Sequence, residues 1–196
     1  MFDQVFGTAA NNRKIFKKLV QPLIDDAVKG FNMTALAYGQ TASGKTHTMM
    51  GSQKESGIVQ LVVERIFTLI EQNTEREFLL RCSYIEIYKE SVSDLLSSNH
   101  KKLKVQEPAE GHVVVHNLIE TNVNTLDAVL ELMQQGNKQR KLGETAMNEK
   151  SSRSHTIFRI IVESIPRDVP DRSDDAVIVS HINLGTNIFI LPTVFV

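Results

Sequence analysis

The 196-residue chain predicts an α/β layer fold, with a largely buried central β-sheet and helices packed against it. Three observations lead there. Strand-like and helix-like segments alternate along the chain. The short apolar run Met33-Thr34-Ala35-Leu36-Ala37-Tyr38 leads directly into Gly39-Gln40-Thr41-Ala42-Ser43-Gly44-Lys45-Thr46, which fits the phosphate-binding pattern of Gly, four residues, then Gly-Lys-Ser/Thr. Apolar residues make up 41% and charged residues 23%, the balance of a globular domain with a real core.

The elements follow in order. Residues 11–29 carry apolar side chains at Ile15, Phe16, Leu19, Val20, Leu23, Ile24, Ala27 and Val28, a helical spacing with one buried face that Gly30 closes. Pro22 lies inside this run and is expected to bend or split the helix, because it has no N–H and its ring clashes with the preceding turn. Arg13, Lys14, Lys17 and Lys18 read as the solvated face. Residues 33–38 form a short buried strand, and a helix opens near Lys45. Residues 51–57 read as a loop. Residues 58–70 are helical again, with Ile58, Leu61, Val62, Ile66, Leu69 and Ile70 turned inward. Aromatic and aliphatic residues fill 77–88, a long strand. Residues 91–96 are expected to form a short helical turn and 97–102 a polar, exposed stretch. Residues 104–106 and 113–115 look like short strands of a small side sheet. Thr125 can cap a helix running to about residue 141, packed by Leu126, Val129, Leu130 and Met133. Residues 156–163 and 176–184 are the last two strands, joined by an acidic, proline-containing connection.

Each residue type in the glycine-rich loop has a physical role. Glycines let the backbone curl so that successive N–H groups point at phosphate oxygens. The helix that starts at the end of the loop adds its positive end. Lys45 would reach the β- and γ-phosphates, and the Thr46 hydroxyl would ligate Mg²⁺. The pattern is short, so its placement between a strand and a helix matters as much as its letters.

A second motif, Asn148-Glu149-Lys150-Ser151-Ser152-Arg153-Ser154-His155, lies about a hundred residues downstream. Together the two motifs resemble the kinesin motor domain: the first matches that family's Ala-Tyr-Gly-Gln-Thr-x-Ser-Gly-Lys-Thr, the second its switch I segment. Further family-like stretches are Phe2-Asp3-Gln4-Val5-Phe6, Ser83-Tyr84-Ile85-Glu86-Ile87-Tyr88, Asp94-Leu95-Leu96 and Val179-Ser180-His181-Ile182-Asn183-Leu184. Ala42 and the run Arg76-Glu77-Phe78-Leu79-Leu80-Arg81 look most like the centromere-associated, kinesin-7 branch. The resemblance runs from Phe2 to Leu184. It implies a P-loop NTPase-like mixed sheet flanked by helices, with nucleotide on one face and track on another.

It also implies roles. Gly39, Gln40, Thr41, Ala42, Ser43, Gly44, Lys45 and Thr46 would cradle the phosphates of ATP, and His47 would flank the adenine ring. Ser151 and Ser152 would supply oxygens near the γ-phosphate, the lytic water and Mg²⁺, with Thr46 and Ser152 as the metal ligands. Asn148 would help place the water, and Arg153 would latch to a switch II glutamate. The implied activity is a microtubule-dependent motor ATPase of the cytoplasm and cytoskeleton, and the family dimerises through a coiled coil. Phosphoryl transfer of this kind needs positioning and charge neutralisation more than covalent help.

The departures from the family pattern are informative. The chain starts inside the family's second strand, after the Arg-x-Arg-Pro motif that helps hold adenine. Beyond Leu184 the family continues as Val-Asp-Leu-Ala-Gly-Ser-Glu; here residues 185–196 read Gly-Thr-Asn-Ile-Phe-Ile-Leu-Pro-Thr-Val-Phe-Val. Thr186 stands where the Walker B Asp belongs, and the glutamate partner of Arg153 is absent. So are the main microtubule-binding helices, the neck linker and any coiled coil. Residues 1–184 are therefore expected to be a partial motor domain, and 185–196 a non-homologous apolar tail. The expected function is that of a motor fragment, inactive as written. The alternative is a non-motile nucleotide-binding or partner-binding module. An unrelated P-loop ATPase or GTPase is a third reading; the Asn-Lys-x-Asp motif expected of a GTPase does not occur.

Composition narrows the remaining classes. Twenty-two Lys and Arg against 23 Asp and Glu give a net charge of −1, so no global basic field draws the chain to nucleic acid, and attraction to an acidic microtubule would need a local patch. The single cysteine, Cys82, excludes an internal disulfide, argues against a cysteine-rich zinc site and fits a reducing compartment. The N-terminus lacks the shape of a signal peptide, and no apolar run is long enough to span a bilayer. His112 and His116 flank a valine run that reads as strand, where four residues span about 13 Å, so they are taken as solvated rather than as a metal pair. Ser154 and His155 are not a nucleophile pair, because adjacent strand residues point to opposite faces. Lys101, Lys102 and Lys104 read as a solvated loop.

Overall fold

The computed structural model describes residues 2–98, 102–107, 114–145, 154–167 and 177–187. Asn11 starts the first helix, its side chain accepting from the Lys14 amide. That helix is split as Pro22 requires: α1 (Asn12–Ile15), a π-helical turn (Phe16–Val20), then α2 (Gln21–Ala27) with the proline in its first turn. The wider π turn absorbs the hydrogen bond that Pro22 cannot donate. Strand β1 (Met33–Tyr38) leads through the glycine-rich loop to α3 (Lys45–Met50). Then come α4 (Ile58–Gln72) and the long β2 (Arg76–Tyr88).

The expected helical turn at 91–96 is wrong. Residues Ser91–Asp94 form strand β3, which pairs antiparallel with the end of β2, Ile87 opposite Val92. The cause is a two-residue turn: Lys89 (φ 46°) and Glu90 (φ 62°) are both left-handed, the geometry of a tight hairpin. Asp94, buried at its end, caps two amides, Leu96 N and Ile119 N.

Strands β4 (Lys102–Gln106) and β5 (Val114–His116) do not form a separate side sheet. They extend the main one through β3–β4 pairing. The His116 ring bonds to Gln106, while His112 and Lys101 lie outside the described residues. Strand β6 (Thr121–Val123) pairs with β2. Helix α5 (Leu126–Thr145) is capped by Thr125 as predicted, its hydroxyl accepting from the Ala128 amide. Strands β7 (His155–Pro166) and β8 (Ile178–Asn187) complete the sheet, in the order β1-β8-β7-β2-β3-β4-β5.

The sheet is mixed: β1 and β8 run parallel, and the other pairs are antiparallel. Register puts Met33, Ala35 and Ala37 of β1, Ile182 and Leu184 of β8, Phe158, Ile160 and Val162 of β7, and Leu80, Cys82 and Tyr84 of β2 on one face. That face forms a single core with Phe16, Val20, Ile24 and Ala27 of the split helix, Val59, Val62 and Ile66 of α4, and Val129 and Met133 of α5. Burying each of the valine, leucine, isoleucine, methionine and phenylalanine side chains among them contributes about 1.5–3 kcal/mol. The opposite face is polar in part: Arg81 pairs with Glu120 and Glu163, and Arg159 donates to Asn183. The last strand, expected to end at Leu184, runs on: Gly185 to Asn187 continue β8 in register with Leu36 to Tyr38. No described helix is long and apolar enough to cross a membrane.

Candidate functional site

Topology brings three chain ends to one edge of the sheet. Because β8 runs parallel to β1, both carboxyl ends lie there, Ala37 opposite Thr186 and Tyr38 opposite Asn187. Because β7 runs antiparallel to β8, its first residues lie there too, Thr156 opposite Thr186. The glycine-rich loop leaves β1 at this edge, and the chain re-enters β7 at the same edge directly after Arg153. A crevice beyond the carboxyl ends of strands is where α/β sheets bind ligands.

The loop itself is curled. Ala42 (φ 63°) and Gly44 (φ 91°) take left-handed backbone, and Ser43 between them does not. That alternation turns successive N–H groups to one concave side. Gly44 is the N-cap of α3, where a side chain would cost about 1 kcal/mol or more; Ala42 bears such a cost. Lys45 Nζ donates to the carbonyl oxygens of Gly39 and Gln40, both at 2.7 Å, so its ammonium lies over the loop. Thr46 is exposed on the first turn of α3. Curled amides, one ammonium and one hydroxyl form a donor set that fits a polyphosphate and a hard divalent cation.

The first turn of α3, directly after the loop, is braced from the side. Buried Asn12 of α1 donates through Nδ2 to the carbonyls of His47 and Ser56, each at 3.2 Å, and its amide donates to Glu55. The His47 ring is half exposed, with Nε2 3.7 Å from Glu55 Oε2.

The start of β7 is held from the other side. Ser154 is buried, and its Oγ accepts from Arg140 Nη2 of α5 at 2.9 Å. Arg140 Nε also lies 3.6 Å from Oε1 of the buried Glu86 on β2. His155 comes next, half-buried, and its buried Nδ1 has no hydrogen-bond partner among the described residues. Its pKa lies below the ordinary histidine value, chiefly through burial. The charges of Lys45 and Arg140 push the same way, and the Thr186 backbone opposes them. The charge of the glycine-loop lysine is thus felt at His155, the one residue of the second motif beyond Ser154 that the structure describes. Asn148, Ser151, Ser152 and Arg153 themselves lie outside the described residues.

Thr186 is buried on β8, its Oγ1 3.4 Å from Thr156 Oγ1. Across the sheet, Glu86, Thr156, Thr186 and Ala37 stand in one row. Sequence reasoning missed Asn12, Glu86 and Arg140. Arg140 could have been found: Val129, Met133, Gly136 and Arg140 share one helical stripe, so the cation falls on the core side of α5.

The kinesin motor domain family model matches residues 1–184. The chain is 49% identical over 183 residues to Kinesin-like protein KIN-7L of Oryza sativa subsp. japonica, a match covering 93% of this chain and 28% of that protein. It is 44% identical over 185 residues to Centromere-associated protein E of Homo sapiens, covering 93% of this chain and 7% of that protein. Among solved structures, a fast kinesin analysed for its ATPase mechanism and interactions with microtubules matches with a TM-score of 0.84 at 34% identity, covering 94% of this chain and 52% of that one. The chain therefore spans about a quarter or less of these two relatives' length.

Proposed function

The chain belongs to the kinesin motor-domain family, and we propose that it carries the nucleotide-binding half of a microtubule-dependent motor ATPase, with ATP and Mg²⁺ bound at the corner formed by the glycine-rich loop and the start of β7. The observation that supports this is the strand register: β1, which leads into the glycine-rich loop, ends at the same edge of the sheet where β7, which follows the second motif, begins. The backbone of Gly39 to Thr46 would hold the phosphates, Lys45 would neutralise them, and His47 would lie beside the base. Thr46 and Ser152 would hold Mg²⁺, which when bound spreads the negative charge of the β- and γ-phosphates. Asn148, Ser151 and Arg153 would place the water and fix the closing segment. Asn12 ties the first turn of α3, directly after the loop, to α1 and to Ser56. Microtubules are the proposed track, and the cytoskeleton the proposed location.

Thr186 favours a second reading for the chain as it stands: a nucleotide-binding module that does not turn over. The row that ends at the phosphate loop presents a hydroxyl at 186, where the family pattern places a carboxylate. Loss of one preorganised charged group in such a site costs on the order of 10²–10³ in rate.

The test is titration of a fluorescent ADP in Mg²⁺ against the chain and its Lys45→Ala variant. Saturable binding is expected, weakened at least tenfold by the substitution. Equal affinities would sink the site. Microtubule-stimulated phosphate release would then separate the two readings, since only the first predicts it.

A further inference from the structure

Ser154 and Arg140 bracket the segment that carries the second motif. Arg140 stands near the end of α5, before that segment, and Ser154 directly follows it. One guanidinium touches three elements. It belongs to α5, it donates to Ser154 at the mouth of β7, and it faces Glu86 on β2. Both partners are buried, Ser154 at 4% and Glu86 at 3% exposure. The helix beneath is itself seated on β2: Tyr84 Oη donates to Asn137 Oδ1 at 3.0 Å, and Gly136 lies flat against the Tyr84 ring.

A planar, forked cation suits this place. Arginine can serve two acceptors at once in fixed geometry, whereas a lysine ammonium is a point charge on a flexible stem. A buried cation also needs an anion, and Glu86 is the carboxylate beside it.

We propose that Arg140 is a positioning residue of the nucleotide site. It pins the first residues of β7 to α5 and β2, and so sets where His155 stands relative to Lys45 and the phosphate loop. The assignment rests on the nucleotide-binding reading given above. It goes beyond that reading because Arg140 is in neither motif.

The experiment uses the full 196-residue chain with Arg140→Gln, Arg140→Lys and Ser154→Ala. Ser154→Ala removes only the tether and leaves the Arg140–Glu86 pair, so it serves if Arg140→Gln fails to fold. Amide hydrogen exchange is read at His155 and Thr156 against Cys82 and Ile160 at mid-sheet. Affinity is read with Mg²⁺ and fluorescent ADP. Arg140→Gln and Ser154→Ala should each speed exchange at His155 and Thr156 about tenfold or more while mid-sheet amides change little, because local opening is separable from global unfolding. Both should weaken the probe several-fold. Arg140→Lys should restore only part of either effect. Unchanged exchange at the β7 start, or an equal rise everywhere, would overturn the tether. Normal wild-type binding with unaltered affinity in Ser154→Ala would overturn the positioning role alone. A wild-type chain that does not bind the probe would instead overturn the nucleotide reading, and with it the site that Arg140 is said to serve.

Discussion

Replacing Gly136 by alanine should destabilise the chain, although the same change on an exposed helix surface would stabilise it. Gly136 lies on the inward stripe of α5. A Cβ built there would sit 2.2 Å from Tyr84 Cδ1 and 2.7 Å from Cε1, with Leu95 Cβ at 3.4 Å. The ring has little room to yield. Tyr84 is fully buried, packs edge-on against Phe158 with centroids 5.4 Å apart, and is held by its hydroxyl bond to Asn137. The helix must therefore retreat. Better helix propensity returns about 1 kcal/mol. Overpacking costs roughly 1–3 kcal/mol, and straining or losing the Tyr84–Asn137 bond about 1 kcal/mol more. The balance is a loss of about 1–3 kcal/mol. With a urea slope of about 2 kcal/mol per molar, the unfolding midpoint falls by about 0.5–1.5 M. Circular dichroism can follow this, since the chain has no tryptophan. Gln134→Ala, on the exposed side of the same helix, is the control and should move the midpoint little. A midpoint for Gly136→Ala at or above wild type would show that α5 does not rest on the Tyr84 ring.

Further outcomes follow from burial and charge. His155 and His181 both have pKa values lowered by burial, with help from Lys45 and Arg140 in the first case and Arg159 in the second. The unfolded chain then binds more protons than the native one once pH drops below the ordinary histidine value of about 6.5. Stability is full above that pH and falls as acidity rises through the lowered native values. Urea midpoints between pH 7.5 and 5 should show this, with a shallower slope in His181→Asn. Cys82 is fully buried, and burial pushes its thiol up to about 12. Ellman's reagent should leave it unmodified until urea opens the core; fast labelling in native buffer would contradict the packing of β2. Leu36 is 53% exposed on β1. Leu36→Lys should cut light scattering at high concentration with the unfolding free energy from urea titration within about 0.5 kcal/mol of wild type. A large stability loss would mean that Leu36 is buried in solution.

Legibility followed the strength of the local signal. Helix α4 and strand β7 were readable because many apolar residues repeat at one period, and burial enforces that period. Pro22 announced a break because its missing N–H has the same consequence wherever it stands. The β2–β3 hairpin was not readable. Its turn is Lys89-Glu90, without the glycine or asparagine that usually marks two left-handed residues, and the pairing with β2 supplies the energy that local preference does not. The end of the last strand, expected at Leu184, was misplaced for a related reason. Identity with the family pattern stops at Leu184, but backbone pairing needs no particular side chain, so β8 runs on through Asn187. At the site, the phosphate loop was legible because its function is a backbone shape that demands glycine at Gly44. Glu86 and Arg140 were not read as a pair, because one lies in a strand and the other in a helix some fifty residues away, and only the fold brings them together.

The corner these elements form is made by topology first and chemistry second. A parallel pair beside an antiparallel pair sends two strand ends and one strand start to the same edge whatever their residues. What the residues add is charge, and here it is one-sided. Lys45 and Arg140 both bear on His155. In the row behind them the carboxylate is Glu86, at the far end and paired with Arg140, while the positions nearest the loop are Thr156, Thr186 and Ala37. An anion entering this corner meets curled amides and the Lys45 ammonium. Among the described residues of this row, a divalent cation meets hydroxyls rather than a free carboxylate. The hydroxyl at Thr186 is why binding without turnover stands beside the proposed motor reading as the second account.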